Sequence, residues 1–402
     1  MGAGHPRLCL LDRFRVLAIG RIRAPIINGK EPCHTRGKAM RKIVLLLAFD
    51  HELSLGACES FRKNMFEPTD DILDLANDLQ VPICLFTDVC CAMRFREWDP
   101  DRFYLPFQRQ LQTATRDGHD VQLHIHPHWL DSQYVDGVFV PANSYSLGLF
   151  VDREPPYNIA GIVDSGVRLL EEICCGVNPD YRCVAYRAGG FSLSPNTAAI
   201  FTALYAAGIR LESSIAKGNY LKSNLWKVDH RQMPAVGNWY LGFDGALNRP
   251  AGDGLYEIPI ASRPRTPLNN VPFLVKRALS RGHQPNRGGG RPIMDGNTSF
   301  IDKIARLFPQ SAWMLSFDTL IDSVEDLLQT LRYHIRAHES HEFLAVSTVS
   351  HPKLMGAHSL ALMRDFVTRV REEYGDLVEF CGYQQFYESY LPEFSRELQA
   401  TT

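Results

Sequence analysis

The chain lacks an uninterrupted apolar run of the eighteen or so residues that a membrane-crossing helix requires. Its longest, Ile43 to Phe49 (IVLLLAF), has the length of one buried strand. It also lacks an excess of charge of either sign. Lys and Arg total 43 against 45 Asp and Glu, a net charge of −2, so there is no electrostatic footprint for nucleic acid. Its 10 cysteines form no pair of CxxC units, which excludes a zinc ribbon or a thioredoxin-type centre. The adjacent pairs Cys90-Cys91 and Cys174-Cys175, without a secretory signal, fit a reducing compartment better than a disulfide framework, and the cytoplasm is the expected location. No internal repeat stands out. What remains is ordinary: 45% apolar and 22% charged residues, enough for a sizeable core.

Residues 1–40 carry eight Lys and Arg against two acidic residues and show no helical or strand period. We expect a disordered basic leader there, with natural translation starting at Met40. From residue 41, short apolar runs alternate with amphipathic stretches. Strands are expected near 43–49, 82–87, 120–125, 182–186, 209–213, 255–260, 312–317 and 343–349. Helices are expected over Asp70–Leu79, Phe103–Arg116, Ile159–Cys175, Pro195–Ala207, Ser299–Leu307, Ile321–His338 and Ala357–Tyr374. This alternation predicts an α/β fold with a mainly parallel sheet, open or closed into a barrel, whose site lies at the C-terminal ends of the strands. The expected layout is one domain over 41–392 with insertions near 130–157 and 217–297, then a tail over 393–402. The insertions, rich in aromatics, Gly, Asn, Pro and Arg, read as loops over the mouth. Gly288 to Gly290 lack the flanking strand and helix of a phosphate-binding loop and read as surface loop.

The densest cluster of metal-ligand side chains is Gly-His-Asp-Val-Gln-Leu-His-Ile-His-Pro-His-Trp, residues 118–129. On a strand, His124, His126 and His128 share a face, and Pro127 stops the ladder. Neutral imidazole suits zinc and similar ions, and a catalytic site adds a third ligand, usually a carboxylate. The strand ending in Asp50-His51-Glu52 offers one at the same kind of edge. A lone histidine would read as a core or loop residue, but three in five positions point to a metal. Arg187 and His351 likewise follow expected strands, so a barrel would gather all of these at one mouth. As a single residue, Arg187 also reads as a structural ion-pair partner.

In order and spacing, these elements resemble the NodB-type polysaccharide deacetylases. Gly118-His119-Asp120 with His124 and His128 is similar to that family's histidine motif, Arg187-Ala188-Gly189-Gly190 to its arginine motif, and Ser350-His351-Pro352 to its last motif. The likeness spans roughly residues 43–352. It implies a distorted (β/α) barrel and a divalent metal, expected to be zinc, held by two histidines and one acid. It further implies hydrolysis of an N-acyl group, expected to be acetyl, on an amino sugar. In that reading Glu52, His124 and His128 hold the metal, Asp50 is the general base, Arg187 orients it, and His351 protonates the leaving amine.

The first motif departs from the family's usual Thr-Phe-Asp-Asp-Gly: here it is Ala48-Phe49-Asp50-His51-Glu52. Alternation makes Glu52 the first choice for third ligand and His51 the second. His126 is left to bind substrate or to support the ligands. Glu212-Ser213-Ser214 resembles a further family element. Relatives with this variant motif and no export signal imply a cytoplasmic enzyme of surface-polysaccharide or lipopolysaccharide synthesis, acting on nucleotide- or lipid-linked glycans. Trp129, Tyr134, Tyr145, Trp226, Trp239 and Tyr240 read either as stacking faces for sugar rings or as local core. Two rival functions stay open: a cyclic amide or ureide hydrolase on the same barrel, and an inactive glycan-binding relative.

Overall fold

Alternation along the first strand, β1 (Lys42–His51), decides what lies inside the sheet and what lies outside. Ile43, Leu45, Leu47 and Phe49 join the large apolar cluster shared with the surrounding helices. Val44, Leu46 and Ala48 pack in a second, inner cluster with Phe86, Ala185, Leu211, Tyr256, Ile258 and Ala345. Both faces are therefore apolar, which is why these strands read as continuous hydrophobic runs. The molecule is described here by a computed structural model covering residues 40–54, 60–135, 138–222, 225, 227–265, 312–319 and 323–401. The leader before Met40, the expected helix Ser299–Leu307, Gly288 to Gly290 and Trp226 lie outside the described residues.

The main sheet is completed by β2 (Ile83–Asp88), β3 (Asp120–Ile125), β4 (Ala185–Ala188), β5 (Leu211–Glu212), β6 (Trp239–Leu241), β7 (Leu255–Glu257), β8 (Phe343–Ser347) and β9 (Val378–Phe380). Its order is β6-β7-β5-β4-β3-β2-β1-β8, with β9 also paired to β1. All pairings are parallel except β6 with β7. Between strands run the helices Glu67–Leu79, Val89–Trp98, Leu105–Arg116, Ile159–Cys174, Thr197–Ala206, Val324–Ala337 and Ala357–Tyr374. Several begin on a side-chain cap. Asn158 accepts from the Gly161 amide at 2.8 Å, and Ser323 with Asp326 forms a capping box.

The two edges of the sheet meet through single bridges rather than a full ladder. The Ser347 amide donates to the Pro259 carbonyl at 3.0 Å, and the Ala261 amide to the Ser347 carbonyl at 2.9 Å. Below them, the buried Asn238 side chain fills the gap. Its Nδ2 donates to the carbonyls of Glu257 (3.1 Å) and Ala345 (2.9 Å), and its Oδ1 accepts from the Ala345 amide at 2.9 Å. The result is a distorted α/β barrel closed at one seam by a side chain. Asn238→Ala would leave three buried backbone groups without partners, each worth on the order of 1–3 kcal/mol. We expect a loss of about 3 kcal/mol in urea unfolding; a change within 0.5 kcal/mol, roughly the scatter of a surface substitution, would mean that water replaces the amide.

Several expected elements differ in the structure. The apolar stretch 312–317 is not a barrel strand: Ala312–Met314 pairs antiparallel with Ser262–Pro264. Leu315 then lies between Ala261 and Val349, bonded to both through its backbone. Its apolarity reflects burial under that seam. The stretch 217–254, read as loop, contains the hairpin Tyr220–Lys222 with Lys227–Asp229 and the antiparallel edge strand β6. The expected tail is a helix, Leu391–Thr401. Its Phe394 ring packs 5.1 Å from those of Phe343 and Phe386 and helps seal the inner cluster. Among the described residues no helix is long and apolar enough to cross a membrane.

Candidate metal centre

The inward parity of the strands carries the polar residues of the site. Continuing 44, 46 and 48 along β1 gives Asp50 and Glu52. On β2 it gives Asp88 after Cys84 and Phe86, on β3 His124 after Asp120 and Gln122, and on β4 Arg187 after Ala185. His126 follows β3, and His351 and Lys353 lie in the segment after β8. All stand at the C-terminal ends of parallel strands, where neighbouring strand ends converge.

Among the described residues, Glu52, His124 and His126 bring one carboxylate oxygen and two imidazole nitrogens within 4.8 Å of one another, all three side chains buried. His124 Nε2 lies 3.3 Å from Glu52 Oε2, and His126 Nε2 is in hydrogen-bond contact with the same oxygen. On the far side of its ring, His124 Nδ1 lies 2.9 Å from the Arg187 carbonyl oxygen. That bond sets Nδ1 as the donor to the carbonyl and turns Nε2 toward Glu52, the orientation of a metal-ligating imidazole. Buried carboxylates crowd this point. Burial works against the His124 charge, but the bond it makes to Glu52 and the charges of Asp50, Glu52 and Asp88 outweigh it and raise the pKa. A pocket that attracts a proton in this way attracts a divalent cation, and one acid with two histidines is a zinc-type donor set. The residues present therefore fit the group.

Glu52 is ionised. Burial works against its charge, but the Lys353 ammonium, His126 and the bonds from both imidazoles outweigh it and hold the pKa well below the usual carboxylate range. Lys353 Nζ donates to Glu52 Oε1 at 2.5 Å and to the Leu53 carbonyl at 3.1 Å.

Two further pairs flank the triad. Arg187 is fully buried and engages all three of its guanidinium nitrogens. Nε donates to the Ser213 carbonyl (2.8 Å), one terminal nitrogen to Asp50 Oδ1 (2.8 Å), and the other to Ser213 Oγ (3.2 Å), Ser347 Oγ (2.9 Å) and the Thr348 carbonyl (3.0 Å). Asp50 Oδ2 lies 3.7 Å from His351 Nε2, and Glu52 Oε1 lies 3.8 Å from it. His351 is held from behind by Asp318, whose Oδ2 meets His351 Nδ1 at 2.6 Å and accepts from the His351 amide at 3.0 Å. Burial lowers the His351 pKa, but the bond to Asp318 and the charges of Asp318, Asp50 and Glu52 raise it above the ordinary value.

The structure brings together Asp50, Glu52, His124, Arg187 and His351 from the sequence-derived set; the His128 ring lies beside that of His126, at a centroid distance of 5.8 Å, but is not among the donors within 4.8 Å of one another. Strict alternation would put His124, His126 and His128 in one row. β3 ends at Ile125, however, and the chain turns at Pro127 into the short helix His128–Asp131. The row is broken after His126, and the nitrogens of His124 and His126 are the ones brought together with Glu52. The His128 ring packs against Tyr145 and Trp129, at centroid distances of 4.6 and 5.1 Å. His51 faces the outer layer as the parity requires. Its Nε2 bonds Gln110 Oε1 at 2.9 Å, its ring stacks on Phe107, and burial pulls its pKa down to about 4.

Of the loop aromatics, Trp129 stacks on Phe139 at 4.4 Å, Tyr134 stacks on Trp98 at 5.6 Å, and Trp239 is fully buried. They form local core rather than a row of sugar-stacking faces. In the Glu212-Ser213-Ser214 element, Ser213 braces Arg187 while Ser214 Oγ accepts from the Ala188 amide at 2.8 Å. Asp318 and Lys353 were not legible as site residues. Asp318 has no motif around it, and Lys353 is a common surface residue type that is here nearly buried. Asp88 is also buried beside the histidines. Its Oδ1 accepts from the His126 amide at 3.2 Å and caps the helix Val89–Trp98.

If Glu52 supplies the anionic oxygen, Glu52→Gln should weaken divalent-metal binding about tenfold or more, while His51→Ala, on the other face, should change it little. Competition against a chelator measures both, and the reverse ranking would move the third ligand to His51.

No family model matches the chain, and no curated protein matches it. Among solved structures, one described as a polysaccharide deacetylase from Mycobacterium smegmatis is similar at 14% identity and TM-score 0.46, covering 90% of this chain and 92% of the other. An allantoinase is similar at 13% and 0.42, covering 92% and 93%. A branching enzyme from Pyrococcus horikoshii is similar at 9% and 0.45, covering 88% of this chain and 70% of the other. Superpositions this loose carry no residue correspondence, and the matched chains differ in activity.

Proposed function

We propose that this protein is a metal-dependent hydrolase that removes an N-acyl group, acetyl in the first instance, from an amino sugar. The observation that carries the reading is the convergence of three groups at one barrel mouth: the Glu52, His124 and His126 donors, the Arg187-bound Asp50, and the Asp318-bound His351, with His351 Nε2 within 3.8 Å of both carboxylates. Amide hydrolysis needs an activated water, a polarised carbonyl and a protonated leaving nitrogen. Glu52, His124 and His126 would hold the metal, zinc by donor type, which supplies carbonyl polarisation and a lowered pKa for water when bound.

The chain's own residues do the rest. Asp50 keeps Oδ2 available because Arg187 occupies Oδ1, so Oδ2 is the base that takes a proton from the attacking water. His351, made more basic by Asp318, carries a proton on Nε2 that passes to the departing amine. One water adds to the acyl carbon, the carbon–nitrogen bond breaks, and the products are a carboxylate and the free amino sugar. The motif likeness to NodB-type deacetylases supports the amino-sugar substrate and, within it, a nucleotide- or lipid-linked glycan of surface-polysaccharide synthesis. The seven cysteines among the described residues are all thiols, which supports a reducing, cytoplasmic setting.

The test is a panel of N-acetyl and N-formyl amino sugars, free, nucleotide-linked and lipid-linked, incubated with metal-loaded protein while acid and amine release are followed. Stoichiometric acid and amine from at least one class is expected. Hydrolysis of cyclic amides or ureides with no action on any acyl sugar would replace this reading with ring opening.

A further inference from the structure

Glu52 differs from an ordinary ligand carboxylate in what holds its second oxygen. Oε2 faces His124 and His126, while Oε1 is bonded at 2.5 Å by Lys353 Nζ. The lysine is itself fixed. It is 9% exposed, its ammonium also donates to the Leu53 carbonyl at 3.1 Å, and it follows Pro352 in a short 3-10 turn two residues after His351. Leu53 is the next residue along from Glu52, so one ammonium pins both the side chain of the ligand and the backbone beside it. A flexible surface lysine would gain little from such a contact. A buried one that lost its carboxylate would be left with an uncompensated charge, so the pair is held together strongly.

We propose that Lys353 is a positioning residue for the metal centre: by engaging Oε1 it keeps Glu52 a one-oxygen ligand through Oε2. The inference rests on the metal-centre reading above. A carboxylate with both oxygens free can swing to a two-oxygen mode and raise the coordination number, which takes up positions needed by water and substrate. Partners of ligating groups of this kind are typically worth 10–100-fold in metal affinity or activity. Lys353 does not touch substrate in this assignment; its effect passes through Glu52.

Three measurements on the full chain test this. Chelator competition with zinc should show K353M binding roughly tenfold or more weakly than the unmutated protein, with K353R, which keeps a cationic donor, intermediate. In an E52Q background, K353M should produce no further loss, since the group it acts on is gone. In the cobalt-loaded protein, K353M should weaken the visible absorption band, as a rise in coordination number does, which a purely structural role would not cause. Should K353M fail to fold, comparison of K353R with K353Q decides the same point, with the arginine variant expected to bind more tightly. Unchanged or tighter zinc binding in K353M, an equal loss in the E52Q background, or K353Q binding as well as K353R would overturn the inference. An unmutated chain that binds no divalent metal would instead sink the metal-centre reading itself, so the two failures are distinct.

Discussion

With alanine at position 124, the purified protein should lose its divalent metal: we expect affinity to fall about 100-fold or more and hydrolysis to fall with it. Of the three proposed ligands His124 is the best prepared, its Nδ1 fixed by the Arg187 carbonyl and its Nε2 3.3 Å from Glu52 Oε2. Removing one of three protein donors leaves an incomplete site. The same change leaves the buried Arg187 carbonyl without its imidazole partner, costing on the order of 1–3 kcal/mol, but the large apolar clusters on both faces of the sheet are untouched. Elemental analysis after dialysis and far-ultraviolet circular dichroism check the two halves. Metal retained at full stoichiometry, with native circular dichroism, would remove His124 from the ligand set. His128→Ala is the comparison: its ring packs on Tyr145 and Trp129 and lies 5.8 Å from that of His126, outside the triad, so metal content should survive, whereas His126→Ala should behave like His124→Ala.

His351→Ala should keep its metal while turnover falls about 100-fold or more, the usual worth of a positioned acid. The pH profile separates this role from a structural one. Asp318 raises the His351 pKa through a hydrogen bond and its charge. A group whose folded pKa is raised holds its proton, and any stability that proton confers, below the unfolded value of 6.5 and loses both as pH rises through the folded pKa. Activity that needs the imidazolium therefore declines on the alkaline side. Asp318→Asn removes the raising charge, so the alkaline limb should move to lower pH, and in His351→Ala it should vanish from whatever activity remains. Turnover near that of the unmutated enzyme in His351→Ala at full metal occupancy would take His351 out of the mechanism and undercut the hydrolase assignment.

Much of the arrangement was legible because it depends on periods of two. The runs at 43–49, 82–87 and 120–125 read as buried parallel strands, and parity along the first put Asp50 and Glu52 on one side and His51 on the other, as the structure has them. Parity holds only while a strand lasts. The row His124, His126, His128 crosses the end of β3 and a proline, so spacing pointed to His128, whereas the folded chain brings the nitrogens of His124 and His126 together with Glu52. Apolarity alone likewise could not distinguish a barrel strand from the buried connector at 312–317.

The sequence by itself determined the layer structure, the strands that end in acids and imidazoles, and the donor types, because each follows from local alternation and side-chain chemistry. Only the tertiary structure decided which of those groups meet. Asp318 reaches His351 across 33 residues of chain, Lys353 reaches Glu52 across 301, and Asn238 reaches Ala345 across 107. Contacts of that kind depend on where the two edges of a curved sheet come together, and no period in the chain encodes it.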